Sequence, residues 1–290
     1  MTLDGLTLHF IVNEIREQAL GCKVDKIHQP QPDTLILNLR ATRNNIRLLI
    51  CAGAADSRMH ITAHKFENPK SPPMFCMFLR KYITGAKIAK IEQIELERIV
   101  NITLEARDEL GLPLELTLVA ELMGKYSNVI LKDSSDTIMD SLRHVTRSLS
   151  RVRCVLPSLK YESLQSTKLN PMTVSEATLI EMLKKHGSRK IKDYLSYILQ
   201  GVSGQTANEI LYRYMPSGYA PQPKEAEKIA DQISIFFAGL SRPQPTMYLD
   251  KDGTPLSYSP VEYHSIVSDS TEKFGSINEL ADDYYHRLKE

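Results

Sequence analysis

Apolar positions change their spacing along this chain, and each change marks a new kind of element. Leu6, Phe10, Val12, Ile15 and Leu20 stand among polar residues close to helical spacing, and Gly21 sits where such a helix would stop. From Cys22 to Thr62 the spacing shortens to the alternation of strands, over 23–27, 34–39 after a Pro/Asp turn, 46–51 and 59–62. Consecutive strands with short polar links predict an antiparallel meander. Pro72 and Pro73 open a helix over 74–83, ended by Gly85. Its Met, Phe and Cys residues read as core. A second strand set follows over 88–94, 99–106, 114–119 and 129–131, with a hairpin turn at 108–111.

The second half of the chain is mostly helical in pattern. Residues 173–215 carry two apolar faces, Val174, Leu179, Met182 and Leu183 on one and Ile191, Tyr194, Leu195, Ile198 and Leu199 on another. Gly201-Val202-Ser203-Gly204 then opens a further helical segment, and 225–240 is amphipathic. Met247-Tyr248-Leu249, an Asp252-Gly253 turn and Pro255-Leu256-Ser257-Tyr258 read as a late hairpin. A lone hairpin is barely stable, so it is expected to return to the first sheet. A helix over 277–290 carries no stop signal, which predicts that the natural chain continues. The expected fold is α+β, with an antiparallel sandwich-like domain over 1–170 and a small all-α domain over 171–242. The returning hairpin occupies 243–275, and 276–290 begins a coiled-coil helix.

Composition narrows the chemistry. The 290 residues carry a net charge of +1, so any basic surface must be local. Cys22, Cys51, Cys76 and Cys154 lie far apart without metal-ligand spacing, which points away from zinc and disulfides and toward reduced, mostly buried thiols. Neither a signal peptide nor a membrane span is legible, which makes a cytoplasmic, membrane-free protein the default. No cofactor is implied.

The stretch with the clearest candidate chemistry is Glu121-Leu122-Met123-Gly124-Lys125-Tyr126-Ser127-Asn128. It is either an ordinary strand connection or an anion site, in which amides near Gly124 and the side chains of Lys125, Ser127 and Asn128 meet a phosphate. Glu97-Arg98 is either a solvated pair or a functional one. Asp4 is either a helix N-cap or a functional acid. Arg143, His144, Arg147, Arg151, Arg153 and Lys160, with almost no acids among them, suit phosphate contacts or a solvated loop. Gly201 and Gly204 open a helix N-terminus to a phosphate or form a plain packing turn.

Several of these stretches occur in one order. They are Leu3-Asp4-Gly5; Lys26-Ile27-His28-Gln29-Pro30; Ser57-Arg58-Met59-His60-Ile61-Thr62; Glu67-Asn68-Pro69 with the helix from Pro72; Ile91-Glu92-Gln93; Glu97-Arg98; and the run from Glu121 to Asn128. In this order the chain resembles the N-terminal half of the NFACT proteins, bacterial members of which are often labelled fibronectin- or fibrinogen-binding. The resemblance implies an N-terminal domain similar to that of formamidopyrimidine-DNA glycosylases, then a helix-hairpin-helix domain. It implies a ribosome quality control factor, not an enzyme, that binds obstructed large ribosomal subunits carrying a peptidyl-tRNA. Such a factor recruits tRNA, alanine tRNA in bacteria, for untemplated tailing of the stalled peptide. The family's Asp-Arg pair, needed for tRNA handling, maps onto Glu97-Arg98, and an acidic residue near its N-terminus maps onto Asp4. Two departures stand out: Glu97 replaces the aspartate, and Pro157-Ser158 replaces a Pro-Gly. The alternative is a surface adhesin for fibronectin or fibrinogen. Glycosylase chemistry is disfavoured, because Met1-Thr2-Leu3 lacks the N-terminal amine and adjacent acid of that reaction.

Overall fold

Nine antiparallel strands, in the order β4-β3-β2-β1-β5-β6-β7-β8-β9, dominate the first half of the chain. The computed structural model describes residues 3–41, 45–150, 152–164, 166–185, 187, 189–214, 225–241 and 243–289. Two units divide the chain, Ile11–Ile94 with Arg98–Leu164, and Thr2–Phe10 with Glu95–Glu97 and Gln165–Glu290.

In the first unit the strands are β1 (Lys23–Gln31), β2 (Thr34–Arg40), β3 (Asn45–Cys51), β4 (Arg58–Ile61), β5 (Lys87–Gln93), β6 (Ile99–Arg107), β7 (Pro113–Glu121), β8 (Asn128–Asp133) and β9 (Ile138–Ser141). The expected meander is present, and β9 adds a strand at the start of the stretch that reads as basic in sequence. The sheet narrows in the middle, where β1 and β5 share one register pair, Lys23 with Lys87, flanked by backbone bonds from Val24 to Ala86 at 2.9 Å and from Ile88 to Cys22 at 2.8 Å. Past that pair the facing edges need other partners. Two arginines supply them. Arg80 Nε, on α2 (Met74–Ile83), donates to the Ile27 carbonyl at 2.9 Å. Arg16 Nε, on α1 (Gly5–Ala19), donates to the Ile91 carbonyl at 2.9 Å.

Side chains sort by strand parity. Val100, Ile102 and Leu104 are buried and alternate with Asn101, Thr103 and Glu105. Helix α2 buries Phe75, Cys76, Leu79 and Ile83. A smaller apolar cluster, Ile99, Val119, Ile130, Ile138 and Val155, packs with Val145 and Tyr161. It therefore lies under the basic segment that follows β9.

The second unit packs α3 (Glu176–Lys184), α4 (Ile191–Ile198), α5 (Gly204–Tyr214) and α6 (Ala226–Ala238) around Leu179, Leu195, Ile198, Ile229, Ile233 and Phe236. The late strands β10 (Thr246–Leu249), β11 (Pro255–Ser259) and β12 (Ser270–Lys273) form their own sheet, in the order β11-β10-β12. They do not extend the first sheet, which corrects the expectation of a returning hairpin. The polar face of α5 explains this. Gln205 accepts from Ser257 Oγ at 2.6 Å and donates to the Tyr258 carbonyl at 3.1 Å. Thr206 bonds the Tyr263 hydroxyl at 3.0 Å, and Glu209 accepts the Ser265 amide at 2.8 Å. These bonds, and the third strand, supply the stability a lone hairpin lacks. Helix α7 (Ile277–Arg287) buries Ile277, Leu280, Ala281, Tyr284 and Tyr285, with Tyr284 against Tyr258 at 4.8 Å between ring centroids.

Glycines in the second unit have distinct packing roles. A Cβ on Gly5 would fall 1.7 Å from the Leu96 carbonyl oxygen and 2.7 Å from the Gly201 Cα. Gly201 has φ +71, and its Cβ would lie 2.8 Å from that of Leu96. Nothing lies within 4 Å of a Cβ on Gly204. Gly5→Ala is therefore expected to destabilise by about 3 kcal/mol or more. Gly204→Ala should change stability by no more than about 0.5 kcal/mol. Urea unfolding of the two variants, side by side, checks the contrast.

Candidate nucleic-acid interface

Three of the ordered sequence motifs meet at one end of the first sheet. Strands β6 and β7 pair from Ile99 opposite Glu121. One residue further on, the Leu122 amide donates to the Arg98 carbonyl at 2.8 Å, which carries Arg98 alongside the start of the 121–128 connection. Gly124 then turns with φ +59, in the region that favours glycine, and its amide donates to Ser57 Oγ at 3.3 Å. A single 3-10 turn, Gly124–Tyr126, follows. It leaves Lys125 and Tyr126 exposed, with the Lys125 ammonium 5.0 Å from the Tyr126 ring centroid.

Ser127 and Asn128 behave differently from Lys125, for both are buried. The Asn128 amide nitrogen donates to the Arg143 carbonyl at 2.8 Å, and its oxygen accepts the Arg143 amide at 2.9 Å. Asn128 thus imitates a strand partner and fixes the start of the basic segment. Arg143 Nη1 returns to the Ser127 carbonyl at 3.0 Å. His144 Nε2 meets Asp140 Oδ1 at 2.7 Å, while Arg147 is exposed. Arg151 lies outside the described residues.

The far end of the segment is fixed by Glu121. Its carboxylate is 0% exposed, pairs with Arg153 and accepts the Tyr161 hydroxyl at 2.8 Å. Burial, then the charge of Glu121, raises the Tyr161 phenol above its ordinary value. Burial works against the Arg153 charge, but hydrogen bonding to Glu121 and its negative charge outweigh it. Ser158, where the family pattern has glycine, adopts φ +69. The turn thus keeps a glycine-like geometry with a serine in it, at a cost of roughly 1 kcal/mol.

The other predicted residues lie in the second unit. Asp4 Oδ1 accepts the Thr7 amide at 2.8 Å, the geometry of a helix N-cap on α1. Its Oδ2 accepts Ser203 Oγ at 2.7 Å, Thr206 Oγ1 at 2.6 Å and the Ser203 amide at 3.3 Å. The anion at the start of α5 is therefore the protein's own carboxylate. Gly201 has a packing reason for lacking a side chain, and its carbonyl accepts the Leu6 amide at 3.1 Å. Glu97 groups with this second unit, through Glu95–Glu97, whereas Arg98 groups with the first.

The structure brings Arg98, Lys125, Ser127, Asn128 and Arg143, which belong to separate stretches of the sequence, to one region. Ser57, Glu121 and Tyr161, which carry no role of their own in the sequence reading, shape that region, and Arg153, expected among the phosphate contacts, is instead drawn in to pair with the buried Glu121. Ser57 stood in a quoted motif, but a bond across 67 residues leaves no local signal. A groove of about 770 Å³, lined by Lys23, Lys87, Glu105, Arg107 and Glu115, opens at the opposite end of β6 and β7. Among the described residues no group of three or more His, Cys, Asp or Glu could hold a metal ion, and no helix is long and apolar enough to cross a membrane. All four cysteines are free thiols.

Residues 4–290 match the family model for the NFACT N-terminal and middle domains. The chain belongs to the NFACT family. It is 34% identical over 293 residues to a Streptococcus pneumoniae protein named Rqc2 homolog RqcH, covering 100% of this chain and 49% of that protein. A Bacillus subtilis protein of the same name is 38% identical over 215 residues, 73% of this chain and 38% of its own length. This NFACT chain thus spans about half, or less, of the curated relatives' length. The solved N-terminal structure of the fibronectin/fibrinogen-binding protein from Streptococcus suis superposes with a TM-score of 0.82 at 31% identity, covering 98% of this chain and 99% of that one.

The raised Tyr161 phenol gives a pH test. Its folded value lies above the unfolded one, so its contribution is present below about pH 10 and lost as pH rises beyond it. Burial raises Tyr248 and Tyr263 in the same direction. Urea midpoints between about pH 8 and about pH 11 should fall for the parent and fall less steeply for Tyr161→Phe. Equal slopes would contradict the assigned environment.

Proposed function

We propose that this NFACT chain is the RNA-binding half of a ribosome quality control factor, which contacts obstructed large ribosomal subunits and recruits tRNA for C-terminal tailing of stalled peptides. The observation that carries the reading is the meeting of Ser57, Arg98 and Gly124 beside a basic segment fixed at both ends. Exposed cations on a rigid frame suit phosphate contact, because little side-chain and loop order remains to be imposed on binding. The named relatives support the same direction. In this account Arg98, Lys125, Arg143, His144 and Arg147 face tRNA phosphates and sugars, and Glu97 orients Arg98 or accepts a ribose hydroxyl. Asp4, Ser127 and Asn128 act from within, by holding the frame. The chain performs no chemistry of its own in this reading and acts in the cytoplasm on ribosomes, with alanine tRNA the expected partner.

Two finer fold assignments belong to the same proposal. The first unit is read as similar to the N-terminal domain of formamidopyrimidine-DNA glycosylases. Helices α4 and α5 with the turn at Gly201 are read as a helix-hairpin-helix, whose glycine serves internal packing. The second functional reading is a fibronectin- or fibrinogen-binding surface protein, favoured by what the similar Streptococcus suis structure is called.

Arg98→Ala is expected to weaken tRNA binding about tenfold, the scale of one charge-assisted hydrogen bond. It should also lower the slope of log affinity against log salt by about one contact's share. Fluorescence titration of labelled tRNA at several salt concentrations checks both. Unchanged affinity and slope would remove Arg98 from the interface. Immobilised fibronectin bound equally by parent and variant, with no tRNA bound by either, would favour the second reading.

A further inference from the structure

The second unit carries a charged stretch that the residues above do not use. Between 184 and 200 stand Lys184, Lys185, Arg189, Lys190 and Lys192 against a single acid, Asp193. Lys185 is taken up by Glu181 at 2.6 Å. The other four cations are exposed and form no ion pair among the described residues. A run of lysines alone is usually a solvated face, so charge by itself would not mark a ligand.

What distinguishes this stretch is an aromatic platform. Helix α4 buries Ile191, Tyr194, Leu195 and Ile198, and this turns Tyr197 outward, 60% exposed. The Arg189 guanidinium lies 4.5 Å from the Tyr197 ring centroid. Tyr194 stacks behind, with ring centroids 6.3 Å apart and planes 29° from parallel. Lys168 Nζ donates to the carbonyl of Ser196, the residue before Tyr197, at 2.9 Å. A large ring left 60% exposed beside a guanidinium buries little apolar area in the fold. It does match a nucleobase, which stacks on aromatic and guanidinium planes while its phosphates meet lysines. An acidic protein surface would complement the lysines but leave the ring without a partner.

We propose that the stretch carrying Lys184, Arg189, Lys190, Lys192 and Tyr197 binds a single-stranded RNA segment, with one base on the Tyr197–Arg189 pair and neighbouring phosphates on the lysines. The choice of RNA rests on the reading of the chain as an RNA-binding factor; the stacking platform and the charge stand apart from it. This site is separate in sequence from Arg98 and the 121–153 segment, so the two can be tested apart.

The test uses the whole 290-residue chain and a labelled, unstructured RNA of about 12 nucleotides. Affinity is followed by fluorescence anisotropy over a range of salt, with circular dichroism to confirm folding. Tyr197→Ala should weaken binding about five- to hundredfold with the salt slope unchanged, and Tyr197→Phe should restore it. Lys190→Gln with Lys192→Gln should lower the slope by about 0.7 for each cation removed. Tyr197→Ala binding as tightly as the parent would overturn the proposal. So would a polyglutamate competitor that displaces the RNA no less readily from the parent than from Tyr197→Ala, which would make this a general polyanion surface. Arg98→Ala run alongside separates the outcomes. Loss with Tyr197→Ala and none with Arg98→Ala upholds this site, with Arg98 decided by the tRNA titration above; the reverse pattern sinks this site alone.

Discussion

The Glu121 carboxylate closes β7 inside the protein, with Arg153 and Tyr161 as its partners. A buried charge without a counter-charge costs several kcal/mol, so removing Arg153 would be felt at about 3–5 kcal/mol. The consequence is geometric. Arg153 and Tyr161 lie at the far end of the basic segment, and Asn128 holds its start through Arg143. Two polar anchors, at either end of one connection, let the cations between them stay in water. The apolar cluster of Ile99, Val119, Ile130, Ile138 and Val155 lies beneath and supplies the rest of the attachment. A protein with almost no net charge can in this way present a local basic surface without spreading positive charge over its whole exterior.

The acids and glycines of the ordered motifs divide their labour accordingly. Asp4 accepts four hydrogen bonds, from Thr7, twice from Ser203, and from Thr206. It caps one helix and fills the anion position at the start of another. Gly5 and Gly201 exist as glycines because backbone and side chain of Leu96 lie where a Cβ would be. These residues hold a frame. Lys125 stands on the other side of the division, exposed at a backbone position that the turn at Gly124 fixes.

The strands and α2 were legible because alternation, Pro72-Pro73 and Gly85 are local signals. Strands β9 and β12 were not, since Ile138–Ser141 runs into the basic stretch and Ser270–Lys273 has no buried residue to reveal a face. The sheet formed by β10 to β12 could not be placed from its own pattern, because the bonds that hold it come from α5, about 50 residues earlier. The same limit applies at the site. Asp4 and Asn128 could be singled out as polar residues in motif positions, yet their partners lie 199 and 15 residues away. Whether a polar side chain serves a ligand or the fold depends on those partners. Ser158 shows the converse, since its departure from glycine was visible in sequence while its left-handed backbone was not.

The central claim is that RNA meets the protein at the end of the sheet where Ser57, Arg98 and the 121–128 connection converge. Ultraviolet cross-linking of the chain to tRNA, followed by mass-spectrometric mapping of the cross-linked peptides, tests it most directly. The account predicts cross-links at Tyr126 and within the segment from Arg143 to Arg153. Efficient cross-linking with none in either place would contradict it.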